Sequence, residues 1–233
     1  MSTHVSLLIL VPLAYLVGSI PFGLIVGLAK GVDPRKGGSG NIGATNVARL
    51  LGKKWFFVVF TLDMCKSLVP MLIASAIAHR VPDAQREWTI YLLWLLVGFA
   101  AVLGHMFSVF LRFKGGKGVA TSAGVMLGLW PYFTLPGAIA IGVFLVVFFI
   151  WRYISLGSIV AAATVPVTYV AIGIWRGWPV FGSQLPLLIF GVVMALLIIY
   201  KHRTNIARLR AGTENRMTSS SSSSPPSPTK TAA

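Results

Sequence analysis

The chain has 233 residues, of which 56% are hydrophobic and 11% are charged. A soluble protein of this size cannot bury so much apolar surface, so the composition excludes an ordinary soluble enzyme. The formal net charge of +15 is compatible with nucleic-acid binding, but the basic residues cluster in the connections between apolar segments, which is typical of membrane proteins, and we expect no nucleic acid partner.

Long apolar runs predict an all-α integral membrane protein, a bundle of about seven transmembrane helices, because a helix needs about 20 apolar residues to cross a bilayer. The predicted spans are Leu7–Leu28, Phe56–Ile77, Thr89–Phe110, Gly118–Trp130, Phe133–Ile150, Ile154–Trp175 and Leu185–Tyr200. The fourth is short, so it can tilt, pair with the fifth, or enter the membrane without crossing it. We expect residues 1–217 to form one membrane domain.

The two ends of the chain lead to separate expectations. The first span has no positively charged segment before it, which predicts a retained helix and not a cleaved signal peptide. The Ser/Pro-rich stretch from Thr218 to Ala233 is expected to be a disordered cytoplasmic tail. Cys65 is the single cysteine, so an intramolecular disulfide and a cysteine-based zinc site are both excluded.

The distribution of lysine and arginine predicts the orientation in the membrane. These residues concentrate in the first, third and fifth connections and after the last span. The positive-inside rule places those segments in the cytoplasm and the N-terminus outside. Three polar motifs then share the cytoplasmic face. Part of the basicity is explained by topology alone, and it would also attract anionic lipid headgroups.

The first motif, SGNIGATNVAR from Ser39 to Arg49, is rich in glycine and hydrogen-bond donors. Its glycines disfavour a helix, whereas the segment from Thr45 can begin one. This predicts a loop of backbone amides that leads into a helix N-terminus, an arrangement that binds anions. Asn41 and Asn46 add donors, and the Arg49 guanidinium can bind two phosphate oxygens. The alternative is a flexible polar linker.

The second motif, RFKGGKGVAT from Arg112 to Thr121, directly follows the third span. The Walker A spacing is absent and the G-x-G-x-x-G pattern is incomplete. Even so, glycines and lysines at the start of a helix suit a phosphate group. The alternative is a turn whose lysines serve only to set the topology.

The third motif, KHRTNIARLRAGTE from Lys201 to Glu214, follows the last span. His202 and Asn205 are three residues apart, so a helix would place both on one face. The alternative for His202 is a structural role, which is the usual one for a single histidine at a membrane interface.

Three ionisable residues lie inside predicted spans. Asp63 and Lys66 share the second span, and their spacing permits an ion pair, whereas an isolated charge at the bilayer centre costs about 2.5–3.5 kcal/mol. His105 lies near the end of the third span. Ionisable groups at such depth are functional candidates by default.

In their order and spacing, the segments GSGNIGATNVAR, GHMFSVFLRFKGGKGVAT and HRTNIARLRAGTE resemble those of the bacterial acyl-phosphate:glycerol-3-phosphate acyltransferases, the PlsY family. The resemblance covers nearly the whole chain before the tail. It implies a seven-helix enzyme of the bacterial cytoplasmic membrane that transfers an acyl group from a fatty acyl phosphate to the 1-hydroxyl of sn-glycerol 3-phosphate. Lysophosphatidic acid and phosphate would be the products, in the first step of phospholipid synthesis.

The resemblance implies that Ser39, Arg49, Lys117, His202 and Asn205 are active-site residues and that Glu214 ends the third motif, and the chemistry of the motifs and spans adds the other residues. The residues expected to act in catalysis are Ser39, His202 and Asn205. Those expected to bind substrate phosphate are Gly40, Asn41, Asn46, Arg49, Lys114, Gly115, Gly116, Lys117 and Gly118. Those expected to support the site are Asp63, Lys66, His105 and Glu214. The expected partners are the two substrates, membrane lipids and the enzyme that makes acyl phosphate, and we expect no cofactor and no metal.

The motifs also bear on mechanism. An acyl phosphate is a mixed anhydride, so its reaction needs mainly positioning and charge stabilisation. The H-x-x-x-x-D pair of thioester-dependent acyltransferases and the G-x-S-x-G elbow are absent from the sequence. Two acceptors remain for the proton of the glycerol hydroxyl, His202 and a phosphate oxygen of the donor, whose pKa is about 6. We favour the phosphate, with His202 and Asn205 donating hydrogen bonds to it.

Two other classes of function are compatible with a polytopic membrane protein. A transporter or channel for a phosphorylated solute needs access from both sides, whereas the outer connections are short and poor in binding residues. A non-enzymatic scaffold would not need three donor-rich glycine motifs on one face. Both are less consistent with the sequence than an enzyme.

Overall fold

The computed structural model describes residues 2–82 and 85–217, and within these ranges the chain is helical and forms no β-strand. This confirms the predicted all-α class. The tail from Thr218, for which disorder was predicted, lies outside the described residues. The helices are α1 (Thr3–Ser19), α2 (Phe22–Ala29), α3 (Ala44–Leu51), α4 (Lys54–Ala78), α5 (Trp88–Met106), α6 (Val119–Gly128), α7 (Thr134–Trp151), α8 (Ile154–Trp175), α9 (Leu185–Lys201) and α10 (Arg203–Arg210).

Within the described ranges, 5 segments are long and apolar enough to cross a membrane: Thr3–Ala29, Lys54–Ala78, Trp88–Leu111, Thr134–Trp151 and Ile154–Trp175. Helices α9 and α10 make a sixth if the pair, bent by 58°, is taken as one span. The short apolar helix α6 is the seventh member of the bundle, so the predicted count of about seven is consistent with the structure.

Two predicted spans differ in detail from the observed helices. The first is interrupted between α1 and α2, because Pro21 has no N–H to continue the helical hydrogen bonds. The fourth predicted span contains only the 10 residues of α6. At about 1.5 Å per residue, such a helix is about 15 Å long, about half the thickness of a hydrocarbon core.

Glycines allow the helices to approach closely. A Cβ atom added at Gly104 of α5 would collide with the backbone of α1 at Tyr15, and one added at Gly18 of α1 would collide with the backbone at Ala101. In the same way, Gly124 places α6 against the backbone of α4. Such close contacts replace the hydrophobic effect, which does not drive helix association inside a bilayer.

This packing predicts the effect of adding one methyl group. Gly104→Ala should lower the melting temperature of the purified protein in detergent, because overpacking costs about 1–3 kcal/mol. Gly142→Ala in α7 is the matched control, since a Cβ there meets no atom within 4 Å and alanine favours a helix. Equal melting temperatures for the two variants would contradict the close contact of α1 with α5.

Candidate active site

The loop of the first motif is shaped by Asn46, which is buried on α3. The Asn46 Nδ2 group lies 2.9 Å from the carbonyl oxygen of Pro34, 3.1 Å from that of Gly37 and 2.8 Å from that of Asn41. Its Oδ1 accepts the N–H of Ser39 at 2.8 Å. These bonds occupy both N–H donors of the side-chain amide and its carbonyl oxygen. Asn46 therefore holds the loop in shape and has no free donor for a phosphate, in contrast to its expected role.

Gly38 lies under this side chain with φ of +59°, and an added Cβ would collide with the Asn46 Oδ1 atom. Only glycine combines this backbone conformation with so close an approach. The Asn41 Oδ1 atom accepts the N–H of Gly43 at 2.8 Å, and α3 then begins at Ala44. The predicted sequence of a loop followed by a helix is thereby confirmed, and Arg49 lies in the last turn of that helix.

The second motif is attached to the end of α5. The Gly115 N–H donates to the Met106 carbonyl at 3.2 Å, and the Gly116 N–H donates to the His105 carbonyl at 3.0 Å. A Cβ at Gly115 would collide with that carbonyl, and one at Gly116 would collide with the His105 imidazole. These two glycines are thus required by close packing, and their N–H groups are already used. Lys114 is exposed and does not reach the cavity described below.

The third motif begins where α9 bends into α10, and His202 is the residue at the bend. Its Nδ1 atom lies 2.8 Å from the Ile198 carbonyl oxygen. A carbonyl can only accept, so Nδ1 carries the proton and, in the neutral ring, Nε2 is an acceptor. The expectation that His202 donates a hydrogen bond to the donor phosphate is therefore wrong for the neutral imidazole.

A hydrogen-bonded chain joins the second and third motifs. The Lys117 ammonium donates to Asn205 Oδ1, and Asn205 Nδ2 donates to Glu214 Oε1 at 2.6 Å. Glu214 also accepts from the Ser155 hydroxyl at 2.7 Å and from Arg208 Nε at 2.7 Å. The carboxylate thereby fixes the orientation of the Asn205 amide, which in turn positions the Lys117 ammonium.

One cavity collects residues from all three motifs, which are far apart in the sequence. The lining residues that the sequence analysis predicted are Ser39, Asn41, Asn46, Arg49, Asp63, His105, Lys117, Gly118, His202, Asn205 and Glu214. We refer to it as the motif cavity. Lys114, Gly40, Gly115, Gly116 and Lys66 do not line it, although Gly115, Gly116 and Lys66 contact residues that do.

The charges around the motif cavity do not cancel. Its two lining carboxylates are paired with cations behind them, Asp63 with Lys66 and Glu214 with Arg208, each pair at 2.7 Å. Within the described residues, Arg49 and Lys117 face the cavity with no carboxylate bonded directly to them. Two uncompensated cations match the charge of about −2 on a phosphate monoester.

The electrostatic state of Lys117 points to the same conclusion. Burial above all, together with the nearby charges of Arg208 and Arg49, lowers the pKa of the ammonium to about 8 against the opposing effect of Glu214. A cation held among cations gains stability when an anion enters. The motif cavity is therefore suited to a negatively charged ligand.

A buried ionic cluster supports the cavity from the membrane side. The Lys66 ammonium lies 2.7 Å from Asp63 Oδ1, which confirms the predicted ion pair, and 2.8 Å from the Ile20 carbonyl oxygen. It also lies 2.9 Å from His105 Nδ1. The cluster joins the break between α1 and α2 to α4 and to the end of α5.

Some lining residues were not predicted. Phe56, Phe60 and Phe144 form an apolar wall, and Ser155 and Ser158 add hydroxyl groups from α8. Nothing in the local sequence distinguishes these residues from others that face lipid or pack between helices. Arg208 belongs to the third motif, but its bond to Glu214 depends on the turn after α10.

Apolar helices of membrane-spanning length and a cavity with two uncompensated cations define a multi-pass membrane protein with a cavity suited to an anion. A sequence model described as glycerol-3-phosphate acyltransferase matches residues 8–212. A glycerol-3-phosphate acyltransferase of Trichlorobacter lovleyi is 48% identical over 204 residues, which cover 87% of this chain and 93% of the relative. The chain belongs to the glycerol-3-phosphate acyltransferase family.

Solved structures agree with this membership. The glycerol 3-phosphate form of PlsY, an integral membrane glycerol 3-phosphate acyltransferase, superposes with a TM-score of 0.76 at 42% identity, over 91% of this chain and 96% of that one. Its lysophosphatidic acid form superposes with a TM-score of 0.73 at 41% identity, over the same shares of the two chains. The protein is accordingly a membrane acyltransferase of phospholipid synthesis that uses glycerol 3-phosphate.

The lowered pKa of Lys117 predicts a pH dependence. The ammonium is charged below pH 8 and loses its charge as the pH rises through about 8, so kcat/KM, which reports the free enzyme, should fall above that pH. Lys117→Arg keeps the charge, so its kcat/KM should fall only at a higher pH, whatever its absolute value. If kcat/KM fell with the same pH midpoint in the wild-type protein and in Lys117→Arg, a group other than Lys117 would be responsible for the fall.

Proposed function

We propose that the enzyme uses a fatty acyl phosphate as the acyl donor, with lysophosphatidic acid and phosphate as products. The observation that carries this proposal is the juxtaposition of Arg49 and Lys117 with the wall of Phe56, Phe60 and Phe144 in one cavity. An acyl phosphate has a dianionic head on an apolar chain. In the motif cavity, the two cations would bind the phosphate head and the phenylalanine wall would contact the acyl chain.

The proposed reaction is a direct acyl transfer. The 1-hydroxyl oxygen of glycerol 3-phosphate attacks the acyl carbonyl carbon, and the bond between that carbon and the phosphate oxygen breaks. Phosphate leaves with the bonding electron pair, and Arg49 and Lys117 stabilise its growing charge. Ser39 lines the same cavity, and its hydroxyl is a donor for an oxygen of the reacting group. No acyl-enzyme is required, because the donor is already activated.

The hydroxyl proton passes to a phosphate oxygen of the donor. Burial lowers the pKa of His202, which follows the last span, to about 4, and the bond to Ile198 only partly opposes this effect. A phosphate monoester has a second pKa of about 6, closer to neutral pH and better matched to a general base. His202 then acts through its Nε2 atom as a hydrogen-bond acceptor that orients the attacking hydroxyl.

The enzyme is proposed to lie in the bacterial cytoplasmic membrane with its motif cavity on the cytoplasmic side. Basic residues cluster at the end of the bundle that carries the three motifs, which favours this orientation under the positive-inside rule. Acyl phosphates are reactive anhydrides, so a donor made by a cytoplasmic or membrane-associated enzyme would reach the site directly.

The donor is tested by phosphate release. Purified protein should release phosphate from palmitoyl phosphate only when glycerol 3-phosphate is present. Arg49→Ala should lower kcat/KM by about tenfold or more, since a hydrogen bond to a charged group contributes about 1.5–3 kcal/mol. Lys53→Ala is the control, because that lysine is exposed and does not line the cavity. Transfer from acyl-CoA or acyl carrier protein, with none from palmitoyl phosphate, would refute the donor assignment, and a transporter or scaffold would release no phosphate.

The role of His202 is tested by two substitutions. His202→Gln retains an acceptor for the substrate hydroxyl but is not a base, whereas His202→Ala removes the acceptor. We expect the glutamine variant to keep clearly more activity than the alanine variant, with both proteins inserted and folded. An equal fall of both to background, with substrate binding intact, would identify His202 as the base.

The orientation is tested by labelling from outside intact cells. In a Cys65→Ser background, a cysteine at Ser2 should react with a membrane-impermeant reagent and one at Ser220 should not. Permeabilised cells, in which both positions react, provide the control. The opposite pattern would place the three motifs outside.

A further inference from the structure

His105 is the second imidazole of the motif cavity, and its environment differs from that of His202. It lies at the end of α5 and is 4% exposed. Its Nδ1 atom lies 2.9 Å from the Lys66 ammonium, and its carbonyl oxygen accepts the Gly116 N–H. The ring therefore connects the buried ionic cluster to the second motif.

The contact with Lys66 determines which nitrogen of His105 carries the proton. An ammonium group only donates, and Lys66 is held charged by Asp63 Oδ1 at 2.7 Å. The Nδ1 atom must then accept, so the proton of the neutral ring is on Nε2. Asp63 Oδ1 is farther from Nδ1, at 3.6 Å, which is beyond the ordinary hydrogen-bond distance.

The Nε2 atom lies at the surface of the second motif. A Cβ added at Gly116 would collide with it, so this edge of the ring lies in direct contact with the glycine. Within residues 2–82 and 85–217, Nε2 has no hydrogen-bond partner, and His105 lines the motif cavity near the uncompensated Lys117 and Arg49. Nε2 is not among the fully enclosed polar atoms that lack a partner, so its N–H is open to an acceptor that enters the cavity.

We propose that His105 is a substrate-binding residue whose Nε2–H donates a hydrogen bond to a phosphate oxygen, with Lys66 as the positioning residue that fixes the tautomer. This inference deepens the proposed function and depends on phosphate binding in the motif cavity. The two histidines then have opposite tautomers. His105 offers a donor for phosphate, and His202 offers an acceptor for the hydroxyl.

Two isosteric substitutions separate this role from a structural one. Gln at position 105 places an amide donor near the Nε2 position, whereas Asn reaches only the Nδ1 position and retains an acceptor for Lys66. We expect His105→Asn to raise the KM for glycerol 3-phosphate or for acyl phosphate by about tenfold or more, and His105→Gln to raise it distinctly less. Measuring both KM values identifies the phosphate concerned. Equal KM values for the two variants, at equal melting temperatures, would overturn the proposal.

Ligand binding without turnover gives an independent measurement. Glycerol 3-phosphate and inorganic phosphate should each raise the melting temperature of the wild-type protein, and His105→Asn should lose most of at least one of these shifts. His79→Asn, at an exposed position remote from the cavity, is the matched control. Unchanged shifts in His105→Asn for both ligands would overturn the role in binding. These shifts do not depend on the acyl donor, so an error in the donor assignment would be visible separately.

The tautomers can be observed directly by nitrogen NMR of histidine-labelled protein in detergent. His105 should show a protonated Nε2 and an unprotonated Nδ1, and His202 should show the reverse. The imidazole nitrogen signals of His105 are those that disappear in His105→Gln, and those of His202 are the ones that disappear in His202→Gln. A protonated Nδ1 in His105 would overturn the proposal even if the asparagine variant failed to fold.

Discussion

The buried ammonium group of Lys66 is the interaction on which the site depends most. A charge inside the bilayer is tolerated only when its donors are satisfied, and here the partners come from three segments: Asp63 of α4, the Ile20 carbonyl and the His105 ring of α5. The Ile20 carbonyl is available because Pro21 interrupts the first span. The electrostatic requirement of one side chain thus joins three membrane segments directly beneath the motifs.

The loops of the site are held by backbone contacts that only glycine permits. Gly38 lies against Asn46, and Gly115 and Gly116 lie against His105. The loops therefore have little freedom, and the cations are presented by rigid supports, Arg49 by α3 and Lys117 by the turn before α6. Such preorganisation suits the proposed direct acyl transfer, which relies on positioning and charge stabilisation.

The distribution of charge explains how an acid-poor protein can still place carboxylates at an anion site. Asp63 and Glu214 line the cavity, yet each is bonded to a cation outside the lining, Lys66 or Arg208. Their role is to orient neighbouring groups, His105 through Lys66 and Asn205 directly. The remaining charges, on Arg49 and Lys117, face the cavity with no carboxylate of the described residues bonded directly to them. The position of the cavity beside an apolar wall suits a molecule with one charged and one apolar end.

The sequence by itself determined the membrane class, the approximate positions of the spans and the family, because hydrophobic length, basic connections and three long motifs are local properties. It also indicated the Asp63–Lys66 pair from spacing alone. Only the tertiary structure decided that α6 is limited to 10 residues, that Asn46 shapes the loop and that Ser155 joins the site. The tautomers of the two histidines belong to this second group, since each depends on a partner whose position is set by helix geometry or packing and not by residue type.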